Sequence, residues 1–198
     1  EMSAFNYLLL INKFSSRSYN DYNQYPIFPL LIYNIKDKEI VKYRDLSKPI
    51  CLNKDDITND KCKSNLKNLG YHFNNHYSTG GYVLYYMSRV IPFTNCLIKF
   101  QSEKFDVPER MFTSLFNLLL GFQITNENRE LIPEIAYCYE CFINLNKNDL
   151  GFIKSENIQV NNFNPNIRSS IIDFIIFYRQ LLENKNLSKW IDTIFGKN

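Results

Sequence analysis

A chain of 198 residues at 45% hydrophobic content can bury one sizeable core, and no glycine- or serine-rich linker divides it. The formal net charge is only +3, and the lysines between positions 36 and 67 are interleaved with Asp37, Glu39, Asp45, Asp55, Asp56 and Asp60, so the basic stripe of a nucleic-acid binder is missing. Five cysteines without a dense framework suit a reducing, cytoplasmic setting, no apolar run approaches the roughly 18 residues of a membrane span, and the N-terminus lacks a secretory-signal layout.

Ser3 is placed to cap a helix running to about Phe14, with Phe5, Leu8, Leu9 and Ile11 on a broad apolar face. Residues 17–29, Arg-Ser-Tyr-Asn-Asp-Tyr-Asn-Gln-Tyr-Pro-Ile-Phe-Pro, show neither helical nor strand periodicity, yet they are dense in rings. Tyr19, Tyr22, Tyr25 and Phe28 call for burial, and Pro26 and Pro29 hold the chain extended. Buried backbone outside a ladder must find partners. Arg17, Asn20, Asp21, Asn23 and Gln24 carry a matching set of donors and acceptors. The expectation is a buried, irregular, extended segment satisfied by its own polar side chains.

Residues 30–35 form a short apolar run of ambiguous type. Residues 43–52, broken by Lys48-Pro49, read as extended, and no pair of runs carries hairpin turn chemistry. Residues 54–69 are polar, with a short helix from Asp56 ending at Gly70. Ser78 or Thr79 opens a helix through Tyr82, Val83, Tyr86 and Met87 that stops before Pro92. Asp106 caps the most evident helix, with Pro108 and Glu109 in its first turn, then Met111, Phe112, Leu115, Phe116 and Leu119, and Gly121 at its end.

Short pieces fill 131–144. Residues 166–182 predict a helix with apolar residues on nearly every side (Ile171, Ile172, Phe174, Ile175, Ile176, Phe177) and therefore deep burial. A last helix runs from about Leu187 to Phe195 and closes at Gly196. The expected fold class is mostly α, helices packed around irregular extended core segments with little regular β-sheet.

Several residue patterns invite chemistry. Cys138-x-x-Cys141 is half of a zinc ligand set with no second pair, and it lacks the strand-to-helix setting of a thioredoxin motif, so it reads as two small core hydrophobes. His72 and His76 could share a helical face, but no glutamate stands in the zincin position, and ring hydrogen bonds to buried backbone explain them. His76 with Ser78 suggests a base and nucleophile, without an evident orienting acid or oxyanion hole. Residues 78–81, Ser-Thr-Gly-Gly, precede a helix but lack the Gly-Lys-Ser/Thr core of a nucleotide loop. Arg17, Asp21, Arg44, Asp45 and Arg89 remain. Buried charges must be paired, so Arg17 or Arg44 is expected to bond Asp21, Asp45 or buried carbonyls. The alternative is a groove that receives a neighbouring domain.

The block 17–29 closely resembles the signature of the BEACH domain, shared by the beige/Chediak–Higashi proteins, neurobeachin and their relatives. The chain departs from that pattern at Ser15 and Ser16, where Ala-Gly is usual, and at Leu30, where a tryptophan is expected. Further matching blocks follow in order at 43–50, 71–78 (with Asn74 for a glycine), 83–89, 92–94, 104–106, 108–110, 131–134, 148–151 and 190–196. Residues 138 and 141 usually hold Leu and Phe in that family.

The resemblance implies one BEACH-type domain over 1–198, cut at both ends, with a pleckstrin-homology-like (PH-like) domain before it and WD40 repeats after it. It also implies a non-enzymatic scaffold in vesicle trafficking, membrane fusion and fission, or lysosomal and autophagic regulation. Such a scaffold would have no cofactor and would be cytoplasmic, at most peripheral on endomembranes. Its partners would be the PH-like neighbour and trafficking proteins. Arg17, Asn20, Asp21, Gln24, Tyr25, Arg44, Asp45 and Arg89 are the candidates for the partner interface or the core network. A reading from another class is a hydrolase or lipid-modifying enzyme using His72, His76 and Ser78.

Overall fold

The computed structural model describes residues 1–36, 39–50, 64, 67–70, 79–103, 111–115, 118–119, 129–147 and 170–196. Helix α1 (Ala4–Phe14) starts where Ser3 Oγ accepts the Asn6 N–H at 3.3 Å. It buries Phe5, Leu8 and Asn12, three positions on one face at helical spacing. Its end is a Schellman turn: the Ser16 N–H reaches the Lys13 carbonyl (3.1 Å) and the Arg17 N–H reaches that of Asn12 (3.0 Å). Ser16 takes the left-handed position at φ 61°.

Asp21 then caps a three-residue 3-10 turn, Tyr22–Gln24, by accepting the Asn23 N–H at 2.9 Å. From Tyr25 to Ile32 every residue is buried. The expected burial of all four rings is corrected here. Tyr25 and Phe28 are buried, Tyr22 is half-buried, and Tyr19 is 43% exposed. The capped turn lifts the first part of the segment to the surface before the chain dives inward.

Strands β1 (Ile32–Lys36) and β2 (Glu39–Tyr43) pair antiparallel, with register irregularities around Asn34. The sequence offered no hairpin signal, because what holds the pair is not turn chemistry alone. Just past β2 the Arg44 N–H donates to the Leu31 carbonyl at 3.0 Å, and Arg44 itself is anchored in the core. Residues 45–48 are also not extended. The Ser47 N–H and hydroxyl both donate to Asp45 Oδ1 (3.0 and 2.6 Å), folding them into a turn.

Helix α2 (Gly80–Tyr86) is capped by Thr79, whose Oγ1 accepts the Tyr82 N–H. Helix α3 (Phe93–Phe100) was not foreseen in the sequence. It packs close to α2 at Gly81, where a Cβ would meet the Phe100 ring at 3.3 Å. The helix expected from Asp106 is corrected in part. Met111 to Ser114 are not helical, and helical backbone is found at Leu115, Leu118 and Leu119. The Phe112 N–H is claimed by the Tyr85 carbonyl (3.1 Å) and its own carbonyl by Arg89 (2.6 Å), so tertiary bonds override local propensity. Residues 104–110 and Gly121 lie outside the described residues.

Two 3-10 turns, Pro133–Ala136 and Tyr139–Cys141, lead toward the last helices. Helix α4 (Ile171–Asn184) is capped by Ser170 and buries Phe174, Tyr178, Leu181 and Leu182. The deep burial expected of it is overturned on one side, where Ile172 is 56% and Ile176 49% exposed. Helix α5 (Ser188–Phe195) ends at Gly196, φ 89°. Among the described residues no helix is long and apolar enough to cross a membrane.

The buried residues form one main cluster and a small satellite of Leu84, Leu97 and Met111. A chain of ring contacts crosses the main cluster from α2 to α4. It runs Tyr86–Phe112 (5.4 Å), Phe112–Phe142 (6.0 Å), Phe142–Phe174 (5.7 Å) and Phe174–Tyr178 (6.3 Å). Such pairs add about 0.5–1.5 kcal/mol each beyond their burial.

Candidate functional site

Among the described residues the buried segment from Tyr25 to Leu31 pairs with no strand beyond a single bridge at Phe28, so its main chain is satisfied group by group. Arg17 Nη1 donates to the Tyr25 carbonyl at 3.0 Å. Asn12, wholly buried in the last turns of α1, brackets Ile27: its Oδ1 accepts the Ile27 N–H (2.9 Å) and its Nδ2 donates to the Ile27 carbonyl (3.0 Å). Phe28 exchanges two backbone bonds with Leu131, at 2.7 and 2.9 Å. The Tyr178 hydroxyl donates to the Pro29 carbonyl (2.7 Å), and Glu130 Oε2 accepts the Leu30 N–H (2.8 Å).

Glu130 is the hub. Arg44 Nη1 lies 2.6 and 2.7 Å from its two oxygens and 3.3 Å from the Leu30 carbonyl. Trp190 Nε1–H donates to Glu130 Oε1 at 3.0 Å, and the Tyr82 hydroxyl donates to the Glu130 carbonyl. The Arg44 and Glu130 side chains are 1% and 0% exposed. The Glu130 carboxylate thus joins α5, the chain after β2 and the threaded segment, and its main-chain carbonyl ties in α2. Burial, with the Glu130 charge beside it, raises the Tyr178 hydroxyl far above the ordinary tyrosine value, so it stays protonated as a donor.

A second buried carboxylate, Glu134, accepts the Tyr25 hydroxyl at 2.5 Å. Burial pushes the Glu134 carboxyl above its usual range against the hydrogen bonds that favour its charged form. The Tyr25 hydroxyl is also raised strongly, by burial first and the Glu134 charge second. Arg89 is almost fully buried, and its Nη1 donates to the Phe112 carbonyl (2.6 Å) and lies 3.4 Å from Ser88 Oγ. Burial pushes its guanidinium down to about 10.

The candidates named from sequence therefore divide in two. Arg17, Tyr25, Arg44 and Arg89 point inward and hold main chain or carboxylates. Asn20, Asp21, Gln24 and Asp45 are exposed, and the side-chain bonds of Asp21 and Asp45 are local. Of the segment's own polar side chains, Arg17 bonds the buried main chain and Tyr25 anchors the stretch through Glu134. The rest of that work falls to Asn12, Glu130, Tyr178 and Arg44.

Asn12, Glu130 and Trp190 were missed as site residues. The available signal was a buried-class arginine, Arg44, in need of a carboxylate, with Glu130 beside the matched 131–134 block. His72, His76 and Ser78 lie outside the described residues. Among the described residues no group of three or more His, Cys, Asp or Glu side chains could hold a metal ion.

Comparison with known proteins bears on what this arrangement serves. The sequence model of the family described as "Beige/BEACH domain" matches residues 1–198. The BEACH domain-containing protein lvsD of Dictyostelium discoideum is 36% identical over 216 residues, covering 99% of this chain and 7% of its own length. The lysosomal-trafficking regulator of Homo sapiens is 32% identical over 226 residues, covering 99% of this chain and 6% of its own length. The chain thus spans less than a tenth of either relative.

Proposed function

Because this chain belongs to the BEACH domain family, we propose that it is a non-catalytic interaction module of a much larger protein that regulates vesicle and lysosomal traffic. It acts as a scaffold in membrane fusion and fission or autophagic delivery, docking on a PH-like neighbour in its parent chain. Together the two present a composite surface to trafficking proteins. Its contact with endomembranes is peripheral.

The observation that carries the non-catalytic reading is the direction of the buried polar and charged side chains. Glu130, Arg44, Arg89 and Asn12 all aim at internal main chain or at one another, which is a structural use of polar groups. The trafficking assignment is supported by the relative named as a lysosomal-trafficking regulator. The exposed edge formed by Asn20, Asp21 and Gln24, beside the half-open ring of Tyr19, is the docking candidate.

Proximity labelling around the full-length parent tests this. Vesicle and lysosome proteins are expected in the labelled set, and the double variant Asn20→Lys/Gln24→Lys should lose partners while keeping its cellular abundance. A labelled set devoid of membrane-trafficking proteins would sink the assignment. An unaltered set in the double variant would move the docking surface elsewhere.

A further inference from the structure

Cys141 is the core hydrophobe that its sequence context suggests, while Cys138 packs against that core with half of its surface open. Cys141 is fully buried, with its Sγ 3.3 Å from Met87 Sδ, but Cys138 is only half-buried. Cys138, the residue that opens the Tyr139–Cys141 turn, sits between Tyr137 and Tyr139, both exposed. The Cys141 N–H donates to the Cys138 carbonyl at 3.2 Å. A turn closed in this way brings its first and last Cα atoms within about 7 Å, close to the span of about 4.4–6.8 Å that a disulfide bridges. The two side chains share a hydrogen bond, and both cysteines are free thiols. A half-open thiol paired with a shielded one three residues on, across one closed turn, is the arrangement of an attacking and a resolving cysteine.

We propose that Cys138 and Cys141 form a dithiol modification site that exchanges with low-molecular-weight disulfides of the glutathione class. The Cys138 thiolate attacks one sulfur of the small disulfide, forming a mixed disulfide and releasing one thiolate, which takes up the proton that Cys138 gave to solvent. Cys141 then loses its proton and attacks the Cys138 sulfur, closing the intramolecular disulfide and expelling the second small thiol. Two protein thiols are oxidised and one disulfide is reduced to two thiols, so the exchange balances.

The surroundings favour the first step at Cys138. The hydrogen bond from Cys141 holds the Cys138 thiol below its ordinary value, while burial and the Glu140 carboxylate, 3.4 Å away, oppose this. The same bond and burial raise Cys141, keeping it the protonated partner until Cys138 has reacted. The Glu134 and Glu140 charges raise Cys141 further, so its proton leaves only as the mixed disulfide is attacked. The site is independent of the docking reading above, since it needs no partner protein.

The test uses the whole chain, reduced, exposed to oxidised glutathione, quenched by alkylation and read by peptide mass spectrometry. Exposed Cys96 is the internal reference. Cys138 should react several-fold faster than Cys96, and the peptide carrying 138–141 should lose two hydrogens and resist alkylation. Cys141→Ser should instead accumulate a glutathione adduct on Cys138, and Cys141→Ala serves the same purpose if the serine variant folds poorly. Cys138 reacting no faster than Cys96, or Cys141 remaining alkylatable after Cys138 is modified, would overturn the proposal in the wild-type protein alone.

Discussion

Glu130 receives more of the structure than any other described side chain: Arg44, the Leu30 N–H and the Trp190 indole N–H all converge on its carboxylate. Removing one partner of a buried ion pair costs about 3–5 kcal/mol because the other charge is left stranded. Glu130→Gln is therefore expected to lower the unfolding free energy obtained from urea titration by that order. The double variant Arg44→Met/Glu130→Leu separates two roles. If the ion pair were everything, an apolar replacement would recover most of the loss. The Leu30 and Trp190 donors stay orphaned, at about 1–3 kcal/mol each, so the double variant should remain destabilised. Full recovery would reduce Glu130 to a simple counter-ion.

Glu134 sets a pH dependence whose sign follows from burial. Its folded value lies above the ordinary 4.5, so the folded protein retains a proton that the unfolded chain releases. The stability this provides is complete below the unfolded value and is lost as pH rises through the folded one. Glu134→Gln keeps an acceptor for Tyr25 and cannot titrate. Subtracting its stability curve from that of the wild type should leave a difference that declines from pH 4.5 upward. Parallel curves across that window would show that burial does not perturb this carboxyl.

At the scale of elements, termini were the most legible features. Ser3 and Thr79 each accept a backbone N–H in the first turn, the job their hydroxyls are suited to. Ser170 does the same for α4, though the apolar pattern starts that helix at 166 and does not single it out. Both Glu183 oxygens add to the start of α1 by accepting the Ala4 N–H (2.9 and 3.0 Å), a tie from α4 that no local pattern announces. The C-terminus of α1 is where this chain departs from its family's Ala-Gly pair. Ser16 occupies a left-handed position that costs an L-residue about 1–2 kcal/mol. Glycine relieves that cost but loses about 0.4–1 kcal/mol through its freer unfolded state. Ser16→Gly should therefore stabilise the protein by about 0.5–1 kcal/mol, raising the thermal midpoint, and a lower midpoint would refute the strain.

Elements without terminal signals were misjudged, and strong terminal signals did not suffice to make Met111 to Ser114 helical. Helix α3 and the β1–β2 pair carry no strong cap or turn code, and Met111 to Ser114 look helical by composition but are held by Tyr85 and Arg89. The all-round apolar pattern of α4 argued for burial on every side. The fold covers Phe174, Tyr178, Leu181 and Leu182, and leaves Ile172 and Ile176 open.

Across the whole molecule, the threaded segment behaves as a substitute for a central strand. Its polar main chain is held by α1, α4, the Arg44 turn and the 130–131 stretch at once. Those holders belong to the main core and cannot open separately, so the amides of Ile27, Phe28 and Leu30 should exchange with solvent only through global unfolding. Hydrogen exchange measured across sub-denaturing urea should show these amides with the slope of the whole-protein transition. A shallow slope at Ile27 would mean that the Asn12 clamp opens locally.

The sequence by itself determined the helix caps, the mostly helical class, the need to bury Tyr25 and Phe28, and the extended path through Pro26 and Pro29. Each follows from preferences expressed within a few residues. Only the tertiary structure decided that Arg44 meets Glu130, that Asn12 clasps Ile27, and that the Tyr19 ring and the Ile172 side chain stay outside. Those outcomes depend on which groups reach one another across separations of 15 to 149 positions. A buried donor demands some acceptor, and its chemistry leaves open which distant residue provides it.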